Sequence, residues 1–282
     1  MPPSILYKYR SFEKYTILGL INKTYWLPKP YQLNDPFDAQ IKPIHKAISE
    51  TEFANELKAF LVKQKKINQV DFEYQNVESL YVKGKPSHIL SENVKSFSRS
   101  VEQIADEIGV LSLSEINTNS TMWSHYGDEH RGICIGYKSS ALLPLSGGSS
   151  QTRVVPVTYK PKEELFRNAY FLYVHSNMGA DVQMLVDYVL DLFAQKTDDW
   201  QYEKEWRLLA PNLGGTVIEY EKNMVQTITF GLRTTVETKK TVKELLPSEV
   251  QYYQTVRHPI YLGLIVEPMS ETSEYWHSLA ES

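Results

Sequence analysis

The 282-residue sequence contains a single cysteine, Cys134. It can form no intrachain disulfide and cannot supply a thiolate-rich zinc site. Cys134 sits within Gly132-Ile133-Cys134-Ile135-Gly136, a pattern expected for a buried strand. It is therefore read as a small core residue, not a nucleophile. Long apolar runs are also missing. The longest, 184–193, is interrupted by Asp187 and Asp191, and the first residues carry no apolar signal region. Neither a signal peptide nor a spanning helix is expected, which points to a cytoplasmic chain with no membrane partner. Charge of one sign is not in excess. The formal net charge is -4, so no general attraction to a polyanion follows, although a local basic groove stays open. Absent too are a Gly-x-Gly-x-x-Gly fingerprint, a phosphate loop, a Gly-x-Ser-x-Gly elbow and a His-Glu-x-x-His pair.

What the sequence has is aromatic residues, 19 Tyr and 5 Trp. These side chains join a large apolar body to a polar tip, which suits pockets as well as cores. In order, strands are expected at 5–10, 24–27, 110–115, 133–137, 153–159, 217–220, 225–230, 250–256 and 261–266. Helices are expected at 12–22 (apolar Tyr15, Leu18 and Ile21), 50–66, 90–108 and 236–246, with a mainly helical stretch from 162 to 196. A short helix carries Met122, Trp123, His125 and Tyr126, capped from 117–120. Leu33-Asn34-Asp35-Pro36-Phe37-Asp38 reads as a turn, and 142–151 as a Gly/Ser-rich loop. Strands and helices mix without steady alternation. This predicts an α+β fold, with a small, mainly antiparallel or mixed sheet and helical insertions at about 50–108 and 162–197. No linker divides the chain, so residues 1–282 are expected to form one domain.

The stretch Trp200-Gln201-Tyr202-Glu203-Lys204-Glu205-Trp206-Arg207 draws most attention. Read as one strand running into Leu208-Leu209-Ala210, it puts Glu203, Glu205 and Arg207 on one face. Three ionisable groups are costly to bury unless paired, so that face is either a solvated edge or a polar cleft. Ahead of it, one strand ends in Tyr9-Arg10 and another presents Ser112 and Ser114. A basic or polar group, a hydroxyl and a glutamate on three strands, in that order, match one way of cleaving the N-glycosidic bond of NAD. The transition state resembles an oxocarbenium ion, and a fixed carboxylate stabilises it. His125 and His130, with Asp128 and Glu129, suggest a metal only weakly. A five-residue spacing does not put two ligands on one helix face.

Several blocks stand in order. They are Leu6-Tyr7-Lys8-Tyr9-Arg10-Ser11, Tyr25-Trp26-Leu27, Asn34-Asp35-Pro36-Phe37-Asp38, Met122-Trp123-Ser124-His125-Tyr126-Gly127, His130-Arg131-Gly132-Ile133-Cys134-Ile135-Gly136 and 200–207. Together they resemble the bacterial family catalogued as domain of unknown function 2971. That family's motif order is similar to the ADP-ribosyltransferase superfamily, especially toxins of toxin–antitoxin and phage-defence systems. The resemblance implies an ADP-ribosyltransferase-like fold and NAD as a substrate. It implies an RNA, single-stranded DNA or protein acceptor, and an antitoxin partner. It places catalysis at Glu205 or Glu203 and the dinucleotide at Tyr9, Arg10, Ser112 and Ser114. Trp123, His125 and Tyr126 would line the pocket, and Asn34 would shape a loop over the dinucleotide. Two other readings stand beside it. One is a metal-dependent nuclease using Asp35, Asp38, His125, His130 and the glutamates. The other is a non-catalytic sensor module whose Glu-Arg face binds a partner.

Overall fold

The computed structural model describes residues 1–39, 44–63, 79–142, 152–165, 168–177 and 189–280. The chain divides into two compact units. The first is built from Met1–Lys29, Ile108–Tyr159 and Asp198–Ser282, and the second from Pro30–Glu107 and Lys160–Thr197.

The first unit is organised on an eight-stranded sheet. Its strands are β1 (Ile5–Arg10), β5 (Gly109–Ser114), β6 (Ile133–Lys138), β7 (Arg153–Pro156), β10 (Glu205–Ala210), β12 (Val225–Phe230), β13 (Gln251–Arg257) and β14 (Leu264–Met269), in the order β14-β13-β12-β6-β1-β5-β10-β7. Every pairing is antiparallel except β12 with β13. That parallel pair needs a crossover, which helix α6 (Val236–Leu245) supplies. A separate ribbon pairs β2 (Thr24–Leu27) with β11 (Thr216–Glu219). The sheet is therefore mixed and mainly antiparallel, as the mixed element order predicts.

The two faces of the sheet differ in chemistry, and the alternation of side chains along each strand makes them differ. One face carries Leu6, Leu111, Leu113, Ile133, Ile135, Leu208, Ala210, Ile228 and Phe230, all buried in the main core. Leu20 from helix α1 (Lys14–Asn22), Leu27, Ile218, Val242 and Trp276 close over it. The other face carries Tyr7, Tyr9, Cys134, Glu205, Arg207 and Thr229. Registers such as Tyr7 opposite Ser114, Ser114 opposite Glu205, and Tyr9 opposite Cys134 fix that set. Gly136 belongs to this face because there is no room for a side chain. A Cβ there would lie 2.1 Å from the Thr227 hydroxyl oxygen.

Helix α4 (Ser120–Tyr126) lies on the polar face. Asn119 caps it by accepting from the Met122 amide at 3.0 Å. Trp123 is fully buried, with its ring edge-on to Tyr9 at 5.1 Å and its Nε1 donating to the Asn117 carbonyl at 2.8 Å.

The second unit holds helices α2 (Glu50–Lys63), α3 (His88–Glu107) and α5 (Ala169–Asn177), the hairpin β3 (Tyr81–Val82) and β4 (Lys85–Pro86), and strand β9 (Gln195–Thr197). Strand β8 (Thr158–Lys160) lies at the passage from the first unit. Phe53, Leu57, Leu90, Val94, Tyr170 and Val174 form the core of the second unit. The stretch 162–196 is expected to be mainly helical. Among the described residues it is helical at 169–177 and 189–192, and 195–197 is strand. The Gly/Ser-rich loop, from 143 onward to 151, lies outside the described residues.

Candidate functional site

The three strands singled out from the sequence are neighbours in the sheet, in the order β1-β5-β10. Tyr7, Ser114 and Glu205 form one row across them. Ser112 and Arg207 form the next row between β5 and β10. Strands β1 and β5 meet in register at one pair, Tyr7 with Ser114, and the Lys8 ammonium donates across to the Ser112 carbonyl at 2.7 Å.

The carboxylates are arranged differently from the expectation of one continuous strand. Strand β10 begins only at Glu205, and Glu203 ends a 3-10 turn, Asp198–Glu203. Between them Lys204 takes φ 44°, a left-handed conformation that breaks the alternation. Glu203 and Glu205 are thus not two steps along one face. Both are buried, at 4% exposure each, and Arg207 is fully buried.

Their environments separate their roles. Glu205 is clamped by Arg207, whose Nε donates to Oε1 at 2.8 Å and Nη2 to Oε2 at 3.0 Å. A bidentate pair of this kind fixes both groups. The Glu205 backbone amide donates to the Tyr159 hydroxyl oxygen at 2.7 Å. Glu203 faces the helix instead. The Tyr126 hydroxyl donates to its Oε1 at 2.6 Å, and the Ser114 hydroxyl donates to its carbonyl at 2.7 Å. Tyr202 is braced by Asn119, whose Nδ2 donates to the Tyr202 carbonyl at 3.1 Å. The half-buried Tyr7, Tyr126 and Tyr202 pack around this spot, against the Tyr9, Trp123 and Cys134 cluster.

Burial controls the titratable groups at the floor. The Cys134 thiol is pushed well above its ordinary range by desolvation, so it stays neutral, as expected for a core residue. Tyr9 is likewise raised, first by desolvation and then by neighbouring Cys134. Its hydroxyl donates to the Ile116 carbonyl at 2.9 Å.

Several expected site residues are placed elsewhere. Arg10 shares the apolar face of the sheet with its register partner Ile133, so it points away from Ser114 and Glu205. Trp123 is core and lines no opening. His125 is exposed beside Tyr126, with ring centroids 6.2 Å apart. Asn34 is exposed in the second unit, in the turn where Asp35 accepts from the Phe37 amide at 2.9 Å. Asp38, in the same turn, is buried against Lys196 at 3.5 Å. Among the described residues, no group of three or more His, Cys, Asp and Glu side chains converges to hold a metal ion. Tyr159, Asn119 and Lys8 were not picked out from the sequence. Only Asn119, within the expected cap, carried a signal.

The profile of a family described as protein of unknown function, DUF2971, matches residues 122–208. This supports the family resemblance. The segment runs from α4 to β10, so both ends of the Tyr126–Glu203 bond lie within it. The blocks at 6–11, 25–27 and 34–38 lie outside it. No curated protein and no solved structure matches the chain. No helix among the described residues is long and apolar enough to cross a membrane.

Proposed function

We propose that the polar face of the sheet is the site of an NAD-consuming ADP-ribosyltransferase, with Glu203 as its working carboxylate. The observation that carries this reading is the Tyr126 hydroxyl donating to Glu203 Oε1 at 2.6 Å, beside Ser114 and under a rim of tyrosines. A phenol hydroxyl bonded to a carboxylate occupies the place a ribose hydroxyl takes when Tyr126 yields it. Glu205 is the brace: with both oxygens held by Arg207, it fixes the start of β10 and so positions Glu203.

In the reaction the bond between ribose C1' and the nicotinamide nitrogen breaks. Its electron pair leaves with nicotinamide, which loses its positive charge, and C1' becomes an oxocarbenium-like centre. A carboxylate fixed in a site of low dielectric stabilises that charge. An amine or hydroxyl of the acceptor then attacks C1' and gives up its proton to solvent. The half-buried Tyr7, Tyr126 and Tyr202 offer ring faces for the nicotinamide or for a base of an RNA or single-stranded DNA acceptor. The reading carries with it an ADP-ribosyltransferase-like fold and a toxin role in antiphage defence. It also carries cytoplasmic action and an antitoxin that silences the protein in its host.

The test uses NAD labelled in its ADP-ribose half, offered with total RNA, single-stranded DNA or cell extract, with and without EDTA. Label on one class of macromolecule, insensitive to EDTA and lost in Glu203→Gln, is expected. Undiminished labelling by Glu203→Gln would refute the assignment of that carboxylate. Binding of a cell protein without any turnover would favour the sensor reading.

A further inference from the structure

The eight-stranded sheet ends on β14 at one side and on β7 at the other, and the two edges are built differently. Strand β7 has four residues, opening on Arg153 and closing on Pro156. A short strand carrying a charge and a proline is a blunted edge. Strand β14 instead runs Leu264-Ile265-Val266 without a polar residue before Glu267-Pro268-Met269. It follows a hairpin tip whose large apolar side chains stand in solvent. Ile260 is 88% exposed, Tyr261 62% and Leu262 107%. The tip is an ordered turn: the amides of Ile260 and Tyr261 donate to His258 Nδ1 at 3.2 and 3.3 Å, and the His258 ring stacks on Tyr261 with centroids 3.4 Å apart. Apolar side chains gathered at the surface mark binding sites more often than scattered ones do.

The hairpin fixes which backbone groups face out of this edge. The His258 amide donates to the Gly263 carbonyl at 2.9 Å, so these opposed residues form a hydrogen-bonded pair. Bonded and non-bonded pairs alternate along an antiparallel ladder. Arg257–Leu264, Thr255–Val266 and Tyr253–Pro268 are therefore non-bonded pairs. Leu264 and Val266 turn both N–H and C=O away from β13. Pro268 falls in the same outward set, where its missing N–H costs β13 nothing. Among the described residues, nothing bonds the outward groups of Leu264 and Val266.

We propose that the β14 edge is a dimer interface, occupied by β14 of a second copy of this chain running antiparallel across a two-fold axis. One register satisfies every outward group of both residues within the strands themselves. It sets Leu264 of each copy opposite Val266 of the other, each pair exchanging both of its bonds. Ile265 then faces its own counterpart on the axis. Glu267 falls opposite Gly263, so no like charges meet, and its carboxylate still accepts from the Tyr275 hydroxyl of its own chain at 2.6 Å. A register centred on Val266 would leave the Leu264 carbonyl opposite Pro268 without a donor. One centred on Glu267 would oppose two carboxylates, which is destabilising. The favoured register also brings the exposed Leu262 of each tip towards Pro268 of the other copy. The same surface is used by both copies, so the contact closes at two.

The test is sedimentation equilibrium of the whole chain, in which a species of twice the chain mass is expected. Val266→Pro removes an N–H that β13 does not use, so the fold is kept. Each copy then loses one backbone bond to its mate, and the dissociation constant should rise by about thirtyfold or more. Cross-linking reads the register. The Cα atoms of a non-bonded antiparallel pair lie about 4.5 Å apart, within the range a disulfide spans. Ile265→Cys should therefore give a covalent dimer under mild oxidation, while the native Cys134 is buried and takes no part. Glu267→Cys should give none, because its counterpart is displaced along the strands. A monomer at every concentration, a mass beyond the dimer, or a dimer unmoved by Val266→Pro would overturn the proposal. So would a cross-link formed by Glu267→Cys and not by Ile265→Cys.

Discussion

Replacing Arg207 with Met leaves the Glu205 carboxylate buried at 4% exposure without its two guanidinium bonds. Removing one partner of a buried ion pair costs about 3–5 kcal/mol, because the remaining charge is uncompensated. For a chain of this size, each kcal/mol lowers the melting temperature by about 2–4 °C, so the loss is roughly 6–20 °C. The deficit depends on pH with a definite sign. In the variant, loss of the guanidinium leaves burial to disfavour the charged form of Glu205 in the folded state. The folded form then binds the extra proton, so the deficit is largest at neutral pH and shrinks as pH falls towards the carboxylate range. Adding Glu205→Leu removes the stranded charge and should restore a large part of the loss, since apolar replacement of a whole buried pair is often neutral or better. Thermal and urea unfolding of the two single variants and the double variant, at neutral and mildly acidic pH, supply the cycle. A loss below about 1 kcal/mol in Arg207→Met, the size of an exposed pair, would refute the reasoning. So would a double variant as unstable as the sum of its singles.

Other expectations follow from the same structure. Gly136→Ala drives a Cβ to 2.1 Å from the Thr227 hydroxyl oxygen, so a loss of about 1–3 kcal/mol is expected in chemical denaturation; an unchanged midpoint would mean that β12 shifts freely. Asp128, Glu129 and His130 follow one another at φ 49°, 49° and 70°, which costs each L-residue about 1–2 kcal/mol. Glu129→Gly should therefore raise stability by up to about 1 kcal/mol, and a drop in melting temperature would contradict this. Burial raises the phenols of Tyr25 and Tyr220, and pushes Tyr137 up to about 12. Their folded pKa values exceed the unfolded value of about 10, so the stability they contribute is intact below that pH and is lost as pH rises above it. Tyrosinate absorbance should appear for them together with unfolding. Reversible ionisation in the folded protein would refute it.

The sequence made some of this legible and hid the rest for physical reasons. Apolar patterning located β1, β5, β6, β12 and β13, and put the last strand at 261–266 where β14 runs Leu264–Met269. The order Tyr9, Ser112 and Ser114, then Glu203 and Glu205, correctly named three strands that turn out to be adjacent. Alternation failed at Lys204, where a left-handed residue without glycine leaves no signal, and so Glu203 was put on the wrong element. It failed again at α1, where Tyr15, Leu18 and Ile21 have helical spacing but face outward. Spacing marks a stripe and does not say what covers it. The Tyr126–Glu203 and Asn119–Tyr202 contacts join residues far apart in the chain. No local pattern encodes such pairs. The two-unit division was equally silent, because each unit is assembled from separated segments whose crossings carry no linker composition.

The central claim is that Glu203, freed from Tyr126, stabilises the charge that develops as NAD loses nicotinamide. The most direct measurement is the rate of nicotinamide release from NAD by the purified protein, by Glu203→Gln and by Tyr126→Phe. The account predicts measurable release by the wild type and a fall of about 10²–10³-fold in Glu203→Gln, as expected when a preorganised charge-stabilising group is lost. In Tyr126→Phe release should persist, because the ribose hydroxyl replaces the phenol. No release by the wild type, or equal release by Glu203→Gln, would contradict it.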